Sequence, residues 1–274
     1  MTSVMADSAR VLTAFRHASR APEVLKCAAV IDEWWPIASS YVGLRALPLP
    51  FDVHCRDGAA YTLEEFYDLE TLWQIYVRRV YDLRPEHQTI VDAGANIGLF
   101  ACYAAGVNPH CVVHAVEPFP PTVRRLRETV RRNGLDGRIR IHAVALSPTS
   151  GSASMSALAP ASQMVHVVHD PDGEATDPSV RVPALTLKDL IERIGAPRID
   201  LLKMDIEGSE YDVLGAASPE ALAPVQSITL EYHRPDPHRP SAKRDLARHL
   251  AACGFRIRED PDDPAEYGIL HFSR

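Results

Sequence analysis

The chain has 274 residues, of which 46% are hydrophobic and 24% are charged, and its 29 basic and 36 acidic residues give a formal net charge of −7. These values are ordinary for a globular protein with one large domain, or with one domain and an appendage. The acidic balance argues against a protein that coats nucleic acid, and no apolar run approaches the roughly 20 residues of a membrane span.

The cysteines are dispersed and show neither a paired nor a metal-binding spacing; they are Cys27, Cys55, Cys102, Cys111 and Cys253. A dispersed, odd set of this kind indicates free thiols in a reducing compartment. Polar residues near the N-terminus interrupt any apolar core of a secretory leader. We therefore expect a cytoplasmic protein with no membrane partner.

Residues 1–88 are expected to form a helical N-terminal cap rather than an independent domain. They begin with an amphipathic stretch, continue through a turn at Trp34-Trp35-Pro36 and contain a helical stretch around Leu63–Tyr81. We expect this cap to pack on an edge of the sheet or over the site, on the substrate side. Any homo-oligomer is expected to form through the same segment.

From residue 89 onward, short apolar runs typical of buried strands alternate with helical patterns. The predicted strands are Thr89–Ala93, Cys111–Val116, Ile139–Val144, Ile199–Met204, Ser227–Tyr232, Phe255–Arg258 and Gly268–Phe272. The predicted helices are Ile97–Gly106, Pro120–Asn133, Leu187–Ile194, Ser209–Ala217 and Ser241–Cys253. This alternation predicts an α/β domain over residues 89–274, with a Rossmann-like, doubly wound, seven-stranded and mostly parallel sheet closed by an antiparallel hairpin.

One segment interrupts that rhythm, because residues 147–181 are rich in Ser, Ala, Pro and Asp. We expect a loop there with a short β excursion at Met164–His169. Loops of this length in compact domains often act as lids, so the insert is a predicted lid.

The most informative segment is the turn that follows the first strand, Val91-Asp92-Ala93-Gly94-Ala95-Asn96-Ile97-Gly98-Leu99-Phe100. Gly94 permits a tight turn, and Gly98 permits close packing of the helix against the strand, so the backbone between them can approach a ligand. A dinucleotide-binding loop would need glycines where Asn96 and Leu99 stand. The loop therefore fits a nucleoside ligand better than a dinucleotide.

Two carboxylates define the chemistry of the expected ligand. Asp92 stands directly before the turn, where it would repel a pyrophosphate and accept hydrogen bonds from a cationic amino-acid group. S-adenosylmethionine carries an ammonium and a sulfonium and no phosphate. Glu117 ends the second strand, where it can accept both ribose hydroxyls, although a dehydrogenase would use such a residue too.

At this point the sequence resembles the FkbM family of methyltransferases. The motifs that carry the resemblance are Val91–Gly98, Val116-Glu117-Pro118, Asp200–Glu210, Leu230-Glu231-Tyr232-His233 and Cys253-Gly254-Phe255. The resemblance spans residues 75–258 and implies a class I methyltransferase fold and transfer of a methyl group from S-adenosylmethionine to an oxygen of a secondary metabolite or saccharide. We expect the cofactor contacts to be Asp92, Gly94, Ala95, Asn96, Gly98, Glu117, Pro118, Phe119 and Asp205.

A polar cluster follows the fourth and fifth strands. Lys203, Asp205 and Glu207 alternate with apolar residues, which in an extended chain places them on one face, and Glu231 and His233 alternate in the same way next door. Mutual pairing of these charges is the structural alternative, and Glu207 and Glu210 are also suited to cap the following helix.

An alcohol acceptor must lose its proton as the new bond forms, and this requirement assigns the predicted catalytic roles. His233 is the first candidate for the base, since imidazole titrates near neutral pH, and Asp205 is the second, as base or as the group that orients His233. Lys203 would keep Asp205 ionised or stabilise an oxyanion, and Glu231 completes the predicted catalytic set.

A divalent metal held by Asp205, Glu207, Glu231 and His233 is an alternative use of the cluster, but Lys203 beside it argues against a cation, and we expect no metal. Six further histidines show no metal-ligand spacing and are expected on the surface or in loops; they are His110, His114, His142, His166, His169 and His238.

The sequence thus predicts a methyltransferase that acts on a hydroxyl of a small natural product or saccharide-containing metabolite, with no nucleic-acid partner. N-methylation of a similar substrate is the close alternative. A nicotinamide-dependent oxidoreductase and a non-catalytic cofactor-binding scaffold are the alternatives from other classes.

Overall fold

The computed structural model describes residues 21–156, 167–168, 179–233, 239, 241–259, 261, 265 and 267–274, without the side chains of 156, 167, 168 and 179. The chain divides into two compact units, Met1–Arg79 and Val80–Arg274. The division after residue 88 that the sequence suggests, and the position of a cap over the site, stay predictions.

The first unit contains helices α1 (Ala21–Val30), α2 (Trp34–Tyr41) and α3 (Phe66–Leu72), a π-helix (Trp73–Arg78) and a two-stranded hairpin, β1 (Phe51–His54) and β2 (Ala60–Leu63). Trp34-Trp35-Pro36 begins α2 and is not a separate turn, because a proline in the first helical turn removes an N–H that has no partner within the helix.

The hairpin is absent from the predicted elements of this unit. Its signal is the Asp57-Gly58 pair, since Gly58 adopts a φ of +95° and a turn of this kind joins two short strands. The buried side chains of Val53, Tyr61 and Leu63 follow the two-residue period of a half-buried strand pair.

In the second unit, a seven-stranded sheet is built from β3 (Thr89–Ala93), β4 (Val112–Val116), β5 (Ile139–His142), β10 (Leu201–Met204), β11 (Ser227–Tyr232), β12 (Arg256–Ile257) and β13 (Gly268–Ser273). The strand order is β12-β13-β11-β10-β3-β4-β5, in which β13 alone runs antiparallel to its neighbours. The predicted Rossmann-like, seven-stranded and mostly parallel sheet is confirmed, with strand ends within two residues of the predicted ones.

The helices of this unit are α4 (Leu99–Val107), α5 (Pro120–Arg132), α6 (Leu187–Ile194), α7 (Glu210–Gly215), α8 (Pro219–Leu222) and α9 (Ala242–Ala252). The chain runs from β3 to one side of the sheet through β4 and β5, and later returns to the other side of β3 through β10 and β11. The carboxyl ends of β3 and β10 therefore flank the switch point, where ligands of such sheets bind.

Among the described helices, none combines the length and apolar character that crossing a bilayer would need.

The insert forms a second sheet of four strands, β6 (Ala145–Leu146), β7 (Gly151–Ser156), β8 (Val167–Val168) and β9 (Ser179–Leu185), in the order β6-β9-β7-β8. Its described ends are thus strands rather than loop, because Ala153 and Met155 on β7 and Val182 and Ala184 on β9 alternate into a small apolar core. Of the predicted β excursion, Val167–Val168 is a strand, and the other residues lie outside the described ones. The role of a lid stays a prediction.

Candidate active site

The turn between β3 and α4 is held open by two glycines with positive φ. A Cβ on Gly94, whose φ is +77°, would lie 1.7 Å from the carbonyl oxygen of Asp205, so the close neighbour of this glycine is the backbone after β10. Gly98, with a φ of +90°, has no room for a Cβ because the Leu126 Cδ1 of α5 would lie 2.7 Å away. Gly94 thus packs against the neighbouring strand end in addition to forming a turn. Gly98 packs against a helix, whereas the sequence predicts packing of its own helix against the strand.

Lys203, on β10, links this strand to the glycine turn. Lys203 and Asp92 lie opposite each other in the parallel register of β10 and β3, and Lys203 Nζ lies 3.1 Å from Asp92 Oδ1. The ammonium also donates to the carbonyl oxygen of Gly94 at 2.8 Å. Burial acts to lower the pKa of Lys203, but the carboxylates of Asp92 and Asp205 outweigh it and raise the pKa, so the side chain is a cation.

Asp92 is fully buried, and its best-defined partner is Lys203. Burial raises the pKa of Asp92, and the charge of Lys203 opposes that effect. The structure therefore places this carboxylate in an ion pair under the turn, so a direct contact between Asp92 and a cofactor stays a prediction.

Glu117 follows β4 and faces the turn from the other side. Its two carboxylate oxygens accept hydrogen bonds from the backbone N–H groups of Asn96, at 3.1 Å, and Phe119, at 2.9 Å. Burial raises the pKa of Glu117 to about 7, against the lowering effect of these two N–H groups. The two bonds fix the carboxylate beside the glycine turn, and its contact with a ribose stays a prediction.

The side-chain amide of Asn96 is the clearest unsatisfied group in the turn. Asn96 adopts a φ of +47°, and its Oδ1 and Nδ2 atoms are buried without a hydrogen-bond partner among the described residues. Such a group costs free energy unless a ligand or a water completes it. Ala95 is buried beside it, with its N–H on the carbonyl oxygen of Val116, and Pro118 and Phe119 are partly buried at the start of α5.

The predicted catalytic side chains meet after β10 and β11. His233 Nε2 lies 3.4 Å from Glu207 Oε2 and 3.9 Å from Asp205 Oδ1, and Asp205 Oδ2 lies 3.8 Å from Lys203 Nζ. The strand ends at Met204, so the predicted extended alternation does not continue to Glu207, which adopts a φ of +54° in the following turn. The turn after β10, rather than an extended strand, therefore brings Glu207 close to His233.

Glu210, at the start of α7, holds the other side of the imidazole. Its Oε1 lies 2.8 Å from His233 Nδ1, and the Glu210 side chain has no exposed surface. Burial alone would lower the pKa of His233, but the bond and charge of Glu210, followed by the charges of Glu207 and Asp205, raise it to about 9. The imidazole is therefore a cation at neutral pH in the ligand-free protein.

Tyr81 completes the cluster from the chain before β3. Its hydroxyl donates to Glu231 Oε2 at 3.0 Å, and Lys203 Nζ lies 5.4 Å from the centre of its ring. Burial and then the nearby carboxylates raise the pKa of Tyr81 well above its ordinary value, so the phenol stays a donor. Burial and then Asp205 raise the pKa of Glu231 to about 7.

The Methyltransferase FkbM domain family matches residues 92–257, more than half of the chain and all of this site except Tyr81. The chain belongs to the FkbM methyltransferase family. This finding confirms the resemblance that the motifs carry.

Three curated relatives place this family member among known proteins. The AMB antimetabolite synthetase AmbE of Pseudomonas aeruginosa is 29% identical over 68% of this chain, and the match spans 11% of that protein. The 31-O-demethyl-FK506 methyltransferase FkbM of Streptomyces tacrolimicus is 26% identical over 68% of this chain and 79% of its own length. The hexuronic acid methyltransferase AglP of Haloferax volcanii is 28% identical over 60% of this chain and 67% of its own length.

Two members of this cluster are not predicted as site residues from the sequence. Glu210 was interpreted only as a helix cap, and its Oε1 does accept the N–H of Ile206 at 3.1 Å, but the same oxygen also binds His233. Tyr81 lies 150 residues from its partner Glu231, and no local pattern in the sequence links the two.

The carboxylates outnumber the cations in this cluster. Asp205, Glu210 and His233 offer atoms within 4.8 Å of one another, a spacing that a metal ion would tolerate. We assign no metal here, because the protein's own cations, Lys203 and His233, already lie between the carboxylates. Glu207 and Glu231 have pKa values raised to about 7, chiefly by burial and next by the charge of Asp205.

The expectation that His114 and His142 lie on the surface or in loops is wrong, because both lie on strands of the sheet. The two rings stack on the adjacent strands β4 and β5, with Nδ1 of His114 3.0 Å from Nε2 of His142. Burial, followed by the charge of His142, lowers the pKa of His114 to about 4, so its ring is neutral. His110 is exposed as expected, and His166, His169 and His238 lie outside the described residues.

Proposed function

We propose that this protein is a cytoplasmic S-adenosylmethionine-dependent methyltransferase that acts on a hydroxyl of a small natural product or saccharide-containing metabolite. The observation that carries the proposal is the buried, unsatisfied amide of Asn96 beside the fixed carboxylate of Glu117, at the switch point of the sheet. The scattered cysteines, all of them free, support a reducing compartment.

The site's electrostatics support this cofactor over a dinucleotide. The charges of Lys203 and Asp92 cancel, as do those of His233 and Glu210, so Asp205, Glu207 and Glu231 give the cluster an excess of carboxylates. An excess of carboxylates would repel a diphosphate and attract a sulfonium and an ammonium. The proposed cofactor contacts are those predicted from the sequence, with Asn96 and Glu117 as the best supported and Asp92 acting through its ion pair.

The names of two relatives support a hydroxyl acceptor. One is a 31-O-demethyl-FK506 methyltransferase, and the other is a hexuronic acid methyltransferase. The first name specifies an oxygen, and the second specifies a sugar acid. The proposed acceptor class covers both kinds of molecule, and N-methylation remains the alternative that product analysis separates.

When bound, S-adenosylmethionine supplies an activated methyl carbon and leaves as neutral S-adenosylhomocysteine, with the sulfur keeping the electron pair of the broken carbon–sulfur bond. The protein must align the acceptor oxygen with that carbon and take up the hydroxyl proton as the oxygen–carbon bond forms. His233 Nε2 is the proposed base, and Asp205 and Glu231 are proposed to orient the acceptor. Lys203 is proposed to hold the turn through Gly94 and to keep Asp205 ionised.

A base must be unprotonated when it acts, and His233 is protonated in the ligand-free site. The positive charges of the cofactor oppose the carboxylates that hold this proton, so cofactor binding is expected to lower the pKa of His233 towards the neutral range. The cofactor would in this way activate its own base.

The test uses methyl transfer from S-adenosylmethionine to a panel of hydroxyl-bearing macrolides and uronic acids, with S-adenosylhomocysteine as the measured product. His233→Ala is expected to keep its affinity for S-adenosylhomocysteine and to lose about 10²-fold or more in turnover. His110→Ala, on the exposed end of the β3–β4 crossover, is the matched control and should behave like the wild type. Normal turnover by His233→Ala would overturn the assignment of the base.

A further inference from the structure

We propose that Glu210 is a positioning residue that fixes the imidazole of His233 with its proton on Nδ1 and its Nε2 directed at the acceptor hydroxyl. This inference rests on the proposed function, because it assigns a role to Glu210 only through His233 as the base. It also goes beyond that function, since neither the family match nor the relatives' names assign Glu210.

The contact between the two side chains has the geometry of a strong hydrogen bond. Glu210 Oε1 lies 2.8 Å from His233 Nδ1, within the range of a charge-assisted N–H···O bond. Glu210 has no exposed surface, whereas 17% of the His233 side chain is exposed. The carboxylate of Glu210 is thus the inner partner, and Nε2 lies on the side of the partly exposed Asp205 and Glu207.

Neighbouring residues hold this pair in place. Oε1 of Glu210 also accepts the N–H of Ile206 at 3.1 Å, which ties it to the turn after β10. The hydroxyl of Tyr211, the next residue of α7, donates to the backbone carbonyl of His233 at 2.8 Å. The ring of Tyr267 stands edge to face against the imidazole at 6.1 Å. The base is therefore anchored at its backbone, at its ring face and at Nδ1.

The chemistry of a carboxylate determines which tautomer results. An ionised carboxylate only accepts hydrogen bonds, so Nδ1 must carry a proton, and the neutral imidazole then presents its lone pair at Nε2. A buried carboxylate that fixes a catalytic imidazole in this way is a recurring arrangement in enzymes. Had Glu210 served only to cap Ile206, an uncharged amide oxygen would do equally well.

Several charged groups face His233 among the described residues, and they must be separated experimentally. Glu207 and Asp205 lie on the Nε2 side, at 3.4 Å and 3.9 Å, and Glu231 acts on the ring from β11. Glu210 is the one that bonds Nδ1. Replacing Glu207 should therefore change the titration of His233 without changing its tautomer, whereas replacing Glu210 with a residue that has no acceptor should change both.

The experiment is a nitrogen NMR titration of isotopically labelled histidine in the full chain bound to S-adenosylhomocysteine, comparing wild type, Glu210→Gln, Glu210→Leu and Glu207→Gln. In Glu210→Gln the amide oxygen can accept from both Ile206 and Nδ1 but carries no charge, so the midpoint of His233 is expected to fall by about one to three pH units while the Nδ1–H tautomer persists. In Glu210→Leu, which offers no acceptor, the neutral ring should lose its Nδ1–H tautomer. Glu207→Gln should lower the midpoint and keep the tautomer, and Glu220→Gln, an exposed carboxylate on α8, should change neither.

An unchanged tautomer in Glu210→Leu would overturn the inference. If that variant does not fold, Glu210→Asp gives the same test, because the shorter side chain keeps the charge and withdraws it from Nδ1; the wild-type tautomer in Glu210→Asp would again count against the inference. The proposed function fails separately, through absent cofactor binding or normal turnover of His233→Ala. With an acceptor in hand, the pH profile of kcat/KM in Glu210→Gln should move with the NMR midpoint.

Discussion

Replacing Gly94 with alanine should separate the role of this residue as a flexible turn from its role as a contact point between two strands. A new Cβ would stand 1.7 Å from the carbonyl oxygen of Asp205 and 2.7 Å from the carbonyl carbon, both backbone atoms. Neither atom can move without pulling the end of β10 away from β3, and Lys203 would lose its bond to the Gly94 carbonyl oxygen.

The chain offers two matched controls for this substitution. Gly134 has a φ of +65° and no atom within 4 Å of an added Cβ, so Gly134→Ala carries only the cost of left-handed backbone, about 1–2 kcal/mol. Gly98→Ala adds an overlap at 2.7 Å with the mobile end of Leu126, worth a further ~1–3 kcal/mol. Gly94→Ala should exceed both, at roughly 4 kcal/mol or more, because backbone has to move.

Urea unfolding of the three variants, with the midpoint and the slope both measured, gives these free energies. Calorimetry with S-adenosylhomocysteine should show that Gly134→Ala binds normally and that Gly94→Ala binds weakly or not at all. If Gly94→Ala were no less stable than Gly134→Ala and bound the ligand equally well, the tight junction between the glycine turn and β10 would be refuted.

Three further outcomes follow from the buried charges. Lys203→Met should destabilise the protein by about 3–5 kcal/mol, because it leaves the carboxylate of Asp92 buried and unpaired, and Lys203→Met/Asp92→Leu should recover part of that loss in urea unfolding. Glu231 has a folded-state pKa raised to about 7, so its protonated form stabilises the fold fully below about pH 4.5, and this effect is lost as the pH rises through 7. Glu231→Gln should therefore be about 1–3 kcal/mol more stable than wild type at pH 8 in thermal unfolding. The same variant should turn over more slowly. Binding of S-adenosylmethionine at pH 8 should release protons from His233, which calorimetry in buffers of different ionisation enthalpy detects; proton uptake would contradict the proposed electrostatics.

The parallel sheet could be predicted because local sequence patterns encode its strands. The apolar runs from Thr89 to Tyr232 identify the strands, and the glycine turn with Glu117 marks the switch point. The ion pair of Lys203 and Asp92 could also be predicted from the sequence, since aligning the two predicted strands places these residues opposite each other.

Other features depend on packing that no local pattern encodes. Tyr81 reaches Glu231 across 150 residues, and the stacking of His114 on His142 requires the stagger between β4 and β5. The sequence accounts for Glu210 as a helix cap, and this local role gives no indication of its bond to His233. A residue with one sufficient local role gives no sign in the sequence of a second, tertiary one.

Calorimetric titration of the purified protein with S-adenosylhomocysteine and, separately, with NAD tests the central claim most directly. The glycine turn, the amide of Asn96 and the surplus of carboxylates predict saturable binding of the sulfur nucleoside at a ratio of one per chain and no binding of the dinucleotide. Binding of NAD without binding of S-adenosylhomocysteine would contradict the account.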